Sequence, residues 1–145
     1  WLPSSGSPTP NLDQIYLWNV QENNARDRGT NRFNIFHATS PTVTPPATSG
    51  TVTSHNFASG GWSKINGTFS LAQGTGNGDS GQSFDVSAAG GARYIGLELV
   101  SNHGGVRVGF GEIAFTTGVP IGIADISNTK ADAITSTSAR LNGKV

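Results

Sequence analysis

The stretch Ala92–Phe115, ARYIGLELVSNHGGVRVGFGEIAF, sets the tightest limit on what this chain can become. Ile95, Leu97 and Leu99 alternate with Gly96 and Glu98, the period of two that turns one face of a strand to a core and the other to water. Ser101–Gly105 interrupts the alternation with Ser-Asn and Gly-Gly, which are turn formers. Val106–Phe115 then reads as a second strand ending in Ile113 and Phe115. Gly109 and Gly111 fall inside it, and because glycine weakens a strand interior they mark a bulge or a close backbone approach. The stretch predicts two strands joined by a glycine-rich turn.

The same pattern recurs upstream. Trp1–Pro10 is a turn-rich entry with three prolines. Asn11–Val20 is a predicted strand, with Ile15 and Leu17 toward a core and Tyr16 and Trp18 on the opposite face. Gln21–Thr30 (QENNARDRGT) is a polar loop, and Arg32–Ala38 a further strand with Phe33 and Ile35 on one side. Ser40–Gly50 is a Pro/Thr loop that cannot pair as a central strand, and Thr51–Phe57 is a short candidate strand. Trp62–Ile65 and Thr68–Ala72 are expected to form a hairpin about Asn66-Gly67, the commonest two-residue turn signal. Gly74–Gly81 is a loop, and Ser83–Val86 a short strand.

Composition narrows the function classes. A chain of 145 residues can bury a core without staples. Charged residues are 12% of it and the formal net charge is zero, which argues against nucleic acid, since phosphate binding needs a basic surplus. Abundant Gly, Ser, Thr and Asn favour strands and turns, and there is no convincing amphipathic helix. There is no cysteine, hence no disulfide and no thiolate chemistry. No apolar run approaches membrane-spanning length. The chain opens at Trp1 and contains no methionine, so the expectation is a piece of something longer. The low-charge Thr/Ser/Gly style fits a secreted bacterial protein.

ARYIGLELVSNHGG followed by VGFGEIAF resembles the closing strands of discoidin-type, galactose-binding-like β-sandwich domains. LDQIYLWNVQENNARDRGTNRFNIF is similar to the early strand, ligand-side loop and next strand of that family, and GWSKINGTFSLAQ and GQSFDV to its middle strands. The resemblance covers roughly Leu12–Phe115, by pattern rather than by any single signature. It implies an all-β jelly-roll sandwich over residues 1–117, usually secreted and often sugar-binding. Two elements usual in the family are not visible: an Asp-Gly loop ahead of Trp1, and a strand ahead of Leu12. A sandwich short of a strand has an unpaired edge or an open core face. Beyond Thr117 the texture changes. Residues 118–145 lack aromatics, and ADISNTKADAITSTSARLNGKV resembles the first strands of a fibronectin type III or Ig-like module. Such a module needs about seven strands, and two fit here.

No HExxH, Walker loop, GxSxG or cysteine–histidine pair appears. Gly76, Gly78 and Gly81 match GxGxxG without the strand-to-helix setting that motif needs. No carboxylate pair is singled out for glycoside hydrolysis. An enzyme is not expected. The loop after Trp18 is the strongest binding candidate, because Asn19, Glu22, Arg26 and Arg28 offer planar polar partners for sugar hydroxyls and Trp18 an aromatic face. The structural alternative is that Asp27 and Arg28 pair and tie the loop down, and in the resembling family an Arg-Gly pair like Arg28-Gly29 opens the next strand. Trp62 is a stacking platform or, more often, a core- or edge-covering ring. In the family an asparagine at the position of Asn102 fixes the loop and the next residue, here His103, faces ligand. The resemblance also implies a structural calcium. Glu112 matches its last-strand carboxylate, but one carboxylate falls short of the six to eight oxygens about a hard cation, so the site is expected to be incomplete and no cofactor is assigned. Asn77 and Asp79 read as a solvated loop. Asn66-Gly67-Thr68 fits a glycosylation sequon, but a hairpin turn accounts for it.

The expected function is a non-catalytic, extracellular carbohydrate-binding or adhesion module, with a polysaccharide or glycan as partner and no membrane insertion. The alternative is a structural subunit of a filament or surface array, in which residues 131–145 are donated as a strand to another copy.

Overall fold

In the computed structural model the described residues are 11–43 and 55–118, with the backbone of two strands at 127–132 and 140–144. The strands are β1 (Leu12–Trp18), β2 (Thr30–Ala38), β3 (Ser63–Lys64), β4 (Phe69–Ser70), β5 (Gln82–Asp85), β6 (Tyr94–Asn102), β7 (Glu112–Thr117), β8 (Ser127–Asp132) and β9 (Arg140–Lys144). Every strand pair is antiparallel. One sheet runs β5-β1-β7; a second is built on β2, with β6 along one edge and β3 then β4 along the other. The only helical segments among the described residues are two single 3₁₀ turns, Arg26–Arg28 and Ser87–Ala89. The described residues therefore form an all-β fold of antiparallel sheets.

The expected alternation decides which faces meet. Ile15 and Leu17 on β1 and Phe33 and Ile35 on β2 are fully buried and pack into one core with Ile65, Leu71 and Val86. Burying each such side chain is worth about 1.5–3 kcal/mol relative to exposure. Phe33 stands between Phe84 of β5, edge-on at 5.1 Å, and Phe69 of β4 at 5.6 Å, so aromatic rings couple the two sheets on that side. Ile95, Leu97 and Leu99 of β6 pack against the same core, as their spacing predicts.

Three expectations are corrected. Asn66-Gly67 does not turn a hairpin. β3 and β4 both pair with β2: Lys64 stands opposite Phe36 and Phe69 opposite Phe33. Four residues therefore lie on one strand where β2 has two, so Asn66-Gly67 is a two-residue bulge in one interrupted strand. Ile65 and Leu71 continue the ladder on either side, donating to Ile35 O and Asn31 O at 2.9 Å each. Gly67 has φ +152°, a conformation glycine tolerates best.

The second correction concerns Val106–Gly111, which is not strand; β7 begins at Glu112. Moreover β6 and β7 belong to different sheets, so the segment between them crosses the end of the sandwich instead of closing a hairpin. The close backbone approach expected at the glycines does occur. Gly109 bridges Gly29, its N–H donating to Arg28 O at 3.1 Å and its carbonyl accepting from Thr30 N at 2.8 Å, and Gly111 N donates to Trp18 O at 2.8 Å.

Third, His55–Phe57 is not strand; the rest of that candidate, 51–54, lies outside the described residues. Phe57 instead folds over the outer face of the second sheet, stacked on Phe36 at 4.5 Å. In the tail, β8 and β9 pair with each other, Ser127 opposite Lys144 and Thr129 opposite Asn142. Residues 133–139 between them lie outside the described residues.

Candidate ligand-binding rim

Antiparallel pairing brings one end of β1, β2, β5, β6 and β7 together. β1 ends at Trp18 where β2 begins at Thr30, where β6 ends at Asn102 and where β5 and β7 begin. Three loops, 19–29, 71–81 and 103–111, therefore share one rim.

Asn19 is the hub of that rim. It is 4% exposed, and its amide donates both hydrogens to main chain, to Thr30 O at 2.8 Å and Ala72 O at 2.7 Å. Its Oδ1 accepts from Val20 N at 3.0 Å. A buried amide with both donors engaged holds the loop ends in place, and Asn19, expected as a ligand contact, lines the rim hollow from that fixed position.

The loop 71–81, of which Gly74–Gly81 is read from sequence as a loop, is tied directly to the loop after Trp18. Gln21 Nε2 donates to Asp79 Oδ2 at 2.9 Å, and Gln21 Oε1 accepts from Gly76 N at 2.8 Å. Asp79 also accepts from Thr75 N at 2.8 Å and from the Thr75 hydroxyl. The Thr75 hydroxyl and N–H, then Gln21 and the Arg26 charge, hold the Asp79 carboxyl below the ordinary aspartate range. The Arg26 guanidinium donates to Thr75 O. Arg26 thus bridges two loops.

The third loop is fixed by its own residues. Asn102 Nδ2 donates to Gly105 O and, at 2.6 Å, to Arg107 O, while its Oδ1 accepts from Gly104 N at 2.9 Å. His103 N donates to Asp27 O and Gly29 O, and its Nε2 lies 2.9 Å from Leu71 O. A carbonyl only accepts, so Nε2 carries a hydrogen. The His103 imidazole is engaged with main chain at that nitrogen. Arg28 is half-buried and its N–H closes the 3₁₀ turn onto Ala25 O at 3.0 Å; Glu22 projects into solvent.

The two tryptophans do not converge. Trp18 lies on the outer face of β1 beside Tyr16, ring centroids 6.3 Å apart, with Gly81 against its ring. Trp62 sits next to β3, at the far end of β2 and on the other sheet. Its Nε1 donates to Val43 O at 2.8 Å, and it meets Phe57 edge-on at 5.0 Å and Tyr94 at 6.4 Å, 73° from coplanar. Two rings so tilted give no flat stacking surface. Glu112 is exposed opposite Trp18, and among the described residues no three His, Cys, Asp or Glu side chains gather about a metal position.

What the rim does enclose is an open hollow of about 220 Å³. Leu17 and Leu71 contribute its apolar lining, and Gln21, Gln73, Thr75, Asp79, Ser80 and Gln82 its polar one. Gln82 Oε1 accepts from Ala72 N at 2.6 Å. Amides, hydroxyls and one ionised carboxylate are complementary to alcohol groups, with donors and acceptors on the same side chains. Apart from Asn19, sequence reasoning named none of these residues as ligand contacts. The signal was the density of Gln, Thr, Ser and Asp among glycines in 73–82, but its relation to Gln21 is set by strand pairing far apart in sequence. No protein family, curated protein or solved structure matches the chain.

Proposed function

We propose that this chain carries a non-catalytic carbohydrate-binding module, a galactose-binding-like jelly roll within a secreted multidomain protein. The observation that carries the reading is the rim hollow: a preformed depression lined by neutral hydrogen-bonding side chains and a single carboxylate, over an apolar floor. Binding of a neutral glycan needs that chemistry and little loop rearrangement, because Gln21, Arg26, Asn102 and His103 already tie the loops together. The ionised Asp79 disfavours acidic sugars by like-charge repulsion. Trp18, Glu22 and Arg28 border the same rim, whereas Trp62 does not.

Affinity electrophoresis through gels containing neutral or anionic polysaccharides tests this. Retardation on a neutral polysaccharide that Gln73→Ala and Ser80→Ala weaken supports the reading. Migration unchanged on every polysaccharide, or retardation that both variants leave intact, contradicts it.

A further inference from the structure

We propose that β7 is an assembly edge, which pairs antiparallel with β7 of a second copy of this chain. Among the described residues β7 has a neighbour on one edge only, β1. Its core-facing side chains are left in solvent: Ile113 is 37% exposed and Phe115 42%, while Ile15 and Leu17, their partners across the ladder, are 0% and 1%. The strand has few of the features that blunt an edge: one charge, Glu112, at its start, and one register shift against β1 at its far end. Glu112–Thr117 (EIAFTT) contains no proline and no lysine, and its register against β1 is regular from Gln14 to Trp18.

The occupant follows from the symmetry of this segment. A two-fold axis through Ala114 sets Ile113 opposite Phe115 of the other copy, twice, and continues the apolar face from one sheet to the next. In that register Glu112, the one charge of the strand, stands opposite Thr116 and not opposite its own mate. The chain has no net charge, so the copies approach without repulsion. The other free edges are less suited. β6 paired about its midpoint opposes Glu98 to Glu98, and β5 has four residues and ends in Asp85. β8 and β9 also have one neighbour each among the described residues, but β8 carries Lys130 and Asp132 and β9 carries Arg140 and Lys144. A six-residue edge buries less than the roughly 800 Å² per partner of a standard interface, so the dimer is weak and concentration-dependent.

Sedimentation of the full chain across a concentration series tests the association, and cysteine cross-linking tests the register. The chain has no native cysteine, and Ala114→Cys puts two thiols within reach across the axis. The expected results are a mass that doubles with concentration, and an Ala114→Cys disulfide dimer formed under mild oxidation while Ser83→Cys on β5 stays monomeric. Ile113→Lys, checked for folding by circular dichroism, is expected to abolish the doubling. A mass that stays monomeric throughout, or a dimer in which Ala114→Cys links no faster than Ser83→Cys, overturns the proposal. The cross-link remains decisive should Ile113→Lys not fold.

Discussion

Gln21 and Asp79, which are 58 residues apart in sequence, meet at 2.9 Å, and that contact joins the loop after β1 to the loop before β5. It makes the rim hollow one structure instead of two neighbouring loops. Replacing Asp79 by Asn removes the charge that Thr75 and Gln21 stabilise. The expected result is faster hydrogen exchange at the amides of Thr75 and Gly76 with little change in the β1 and β2 amides, since local opening does not require global unfolding.

The same carboxylate gives a pH dependence of definite sign. Asp79 has a folded pKa below its ordinary value, as does Asp85, which accepts from Ser87. Each therefore binds fewer protons folded than unfolded near the ordinary aspartate value of about 3.9. Their stabilisation is complete above that range and is lost as pH falls through the folded values. Urea midpoints measured from pH 7 to pH 3 are expected to fall at the acid end. Asp79→Asn is expected to flatten that fall in part, with Asp85 supplying the remainder.

Asn19→Ala is expected to destabilise the protein, because it leaves the carbonyls of Thr30 and Ala72 without their buried donors. The cost of such unsatisfied groups is about 1–3 kcal/mol. Asn19→Asp is expected to cost at least as much at neutral pH, since a carboxylate donates nothing and is buried at this position. Chemical denaturation of the two variants measures both.

The bulge at Asn66-Gly67 predicts an asymmetry between deletions. Removing both residues restores an unbroken ladder and keeps Ile65 and Phe69 on the core face, so stability is expected to stay within about 1 kcal/mol of the parent, in the range of tolerated loop changes. Removing Gly67 alone shifts the following residues by one and turns Phe69 outward. That variant is expected to lose cooperative unfolding. A hairpin turn at this site would be damaged by either deletion, so thermal melts of the pair distinguish the two geometries.

Gly96 lies beneath Phe57. A Cβ there would stand 2.4 Å from the Phe57 ring and 3.2 Å from that of Trp62. Gly96→Ala is expected to cost about 1–3 kcal/mol through overpacking. In a double-mutant cycle with Phe57→Ala, that cost is expected to shrink, because the atoms it displaces are gone.

Local alternation was enough to identify β1, β2 and β6 and their buried residues, because Ile15 and Leu17, Phe33 and Ile35, and Ile95, Leu97 and Leu99 each recur at every second position. It failed where a long-range partner overrides a short-range signal. Asn66-Gly67 is a hairpin signal by composition, yet the edge of β2 opposite β6 takes up the chain on both sides of it. Val106–Gly111 alternates like a strand but is held as a crossing by Asn102 and by the main chain of Arg28, Thr30 and Trp18. The site was legible only as a place. The polar loop after Trp18 does border the hollow, but Asn19 reads alike whether it faces ligand or main chain, and the Gln21–Asp79 contact depends on strand order.

Whether the rim hollow receives a neutral glycan, as proposed, is read from amide and side-chain NMR shifts as the isotopically labelled protein is titrated with neutral oligosaccharides. The expected result is saturable shifts confined to Gln21, Gln73, Thr75, Asp79, Ser80 and Gln82 and their neighbours. Shifts centred on the outer face around Trp62 and Tyr94, or none with any sugar, would contradict the proposal.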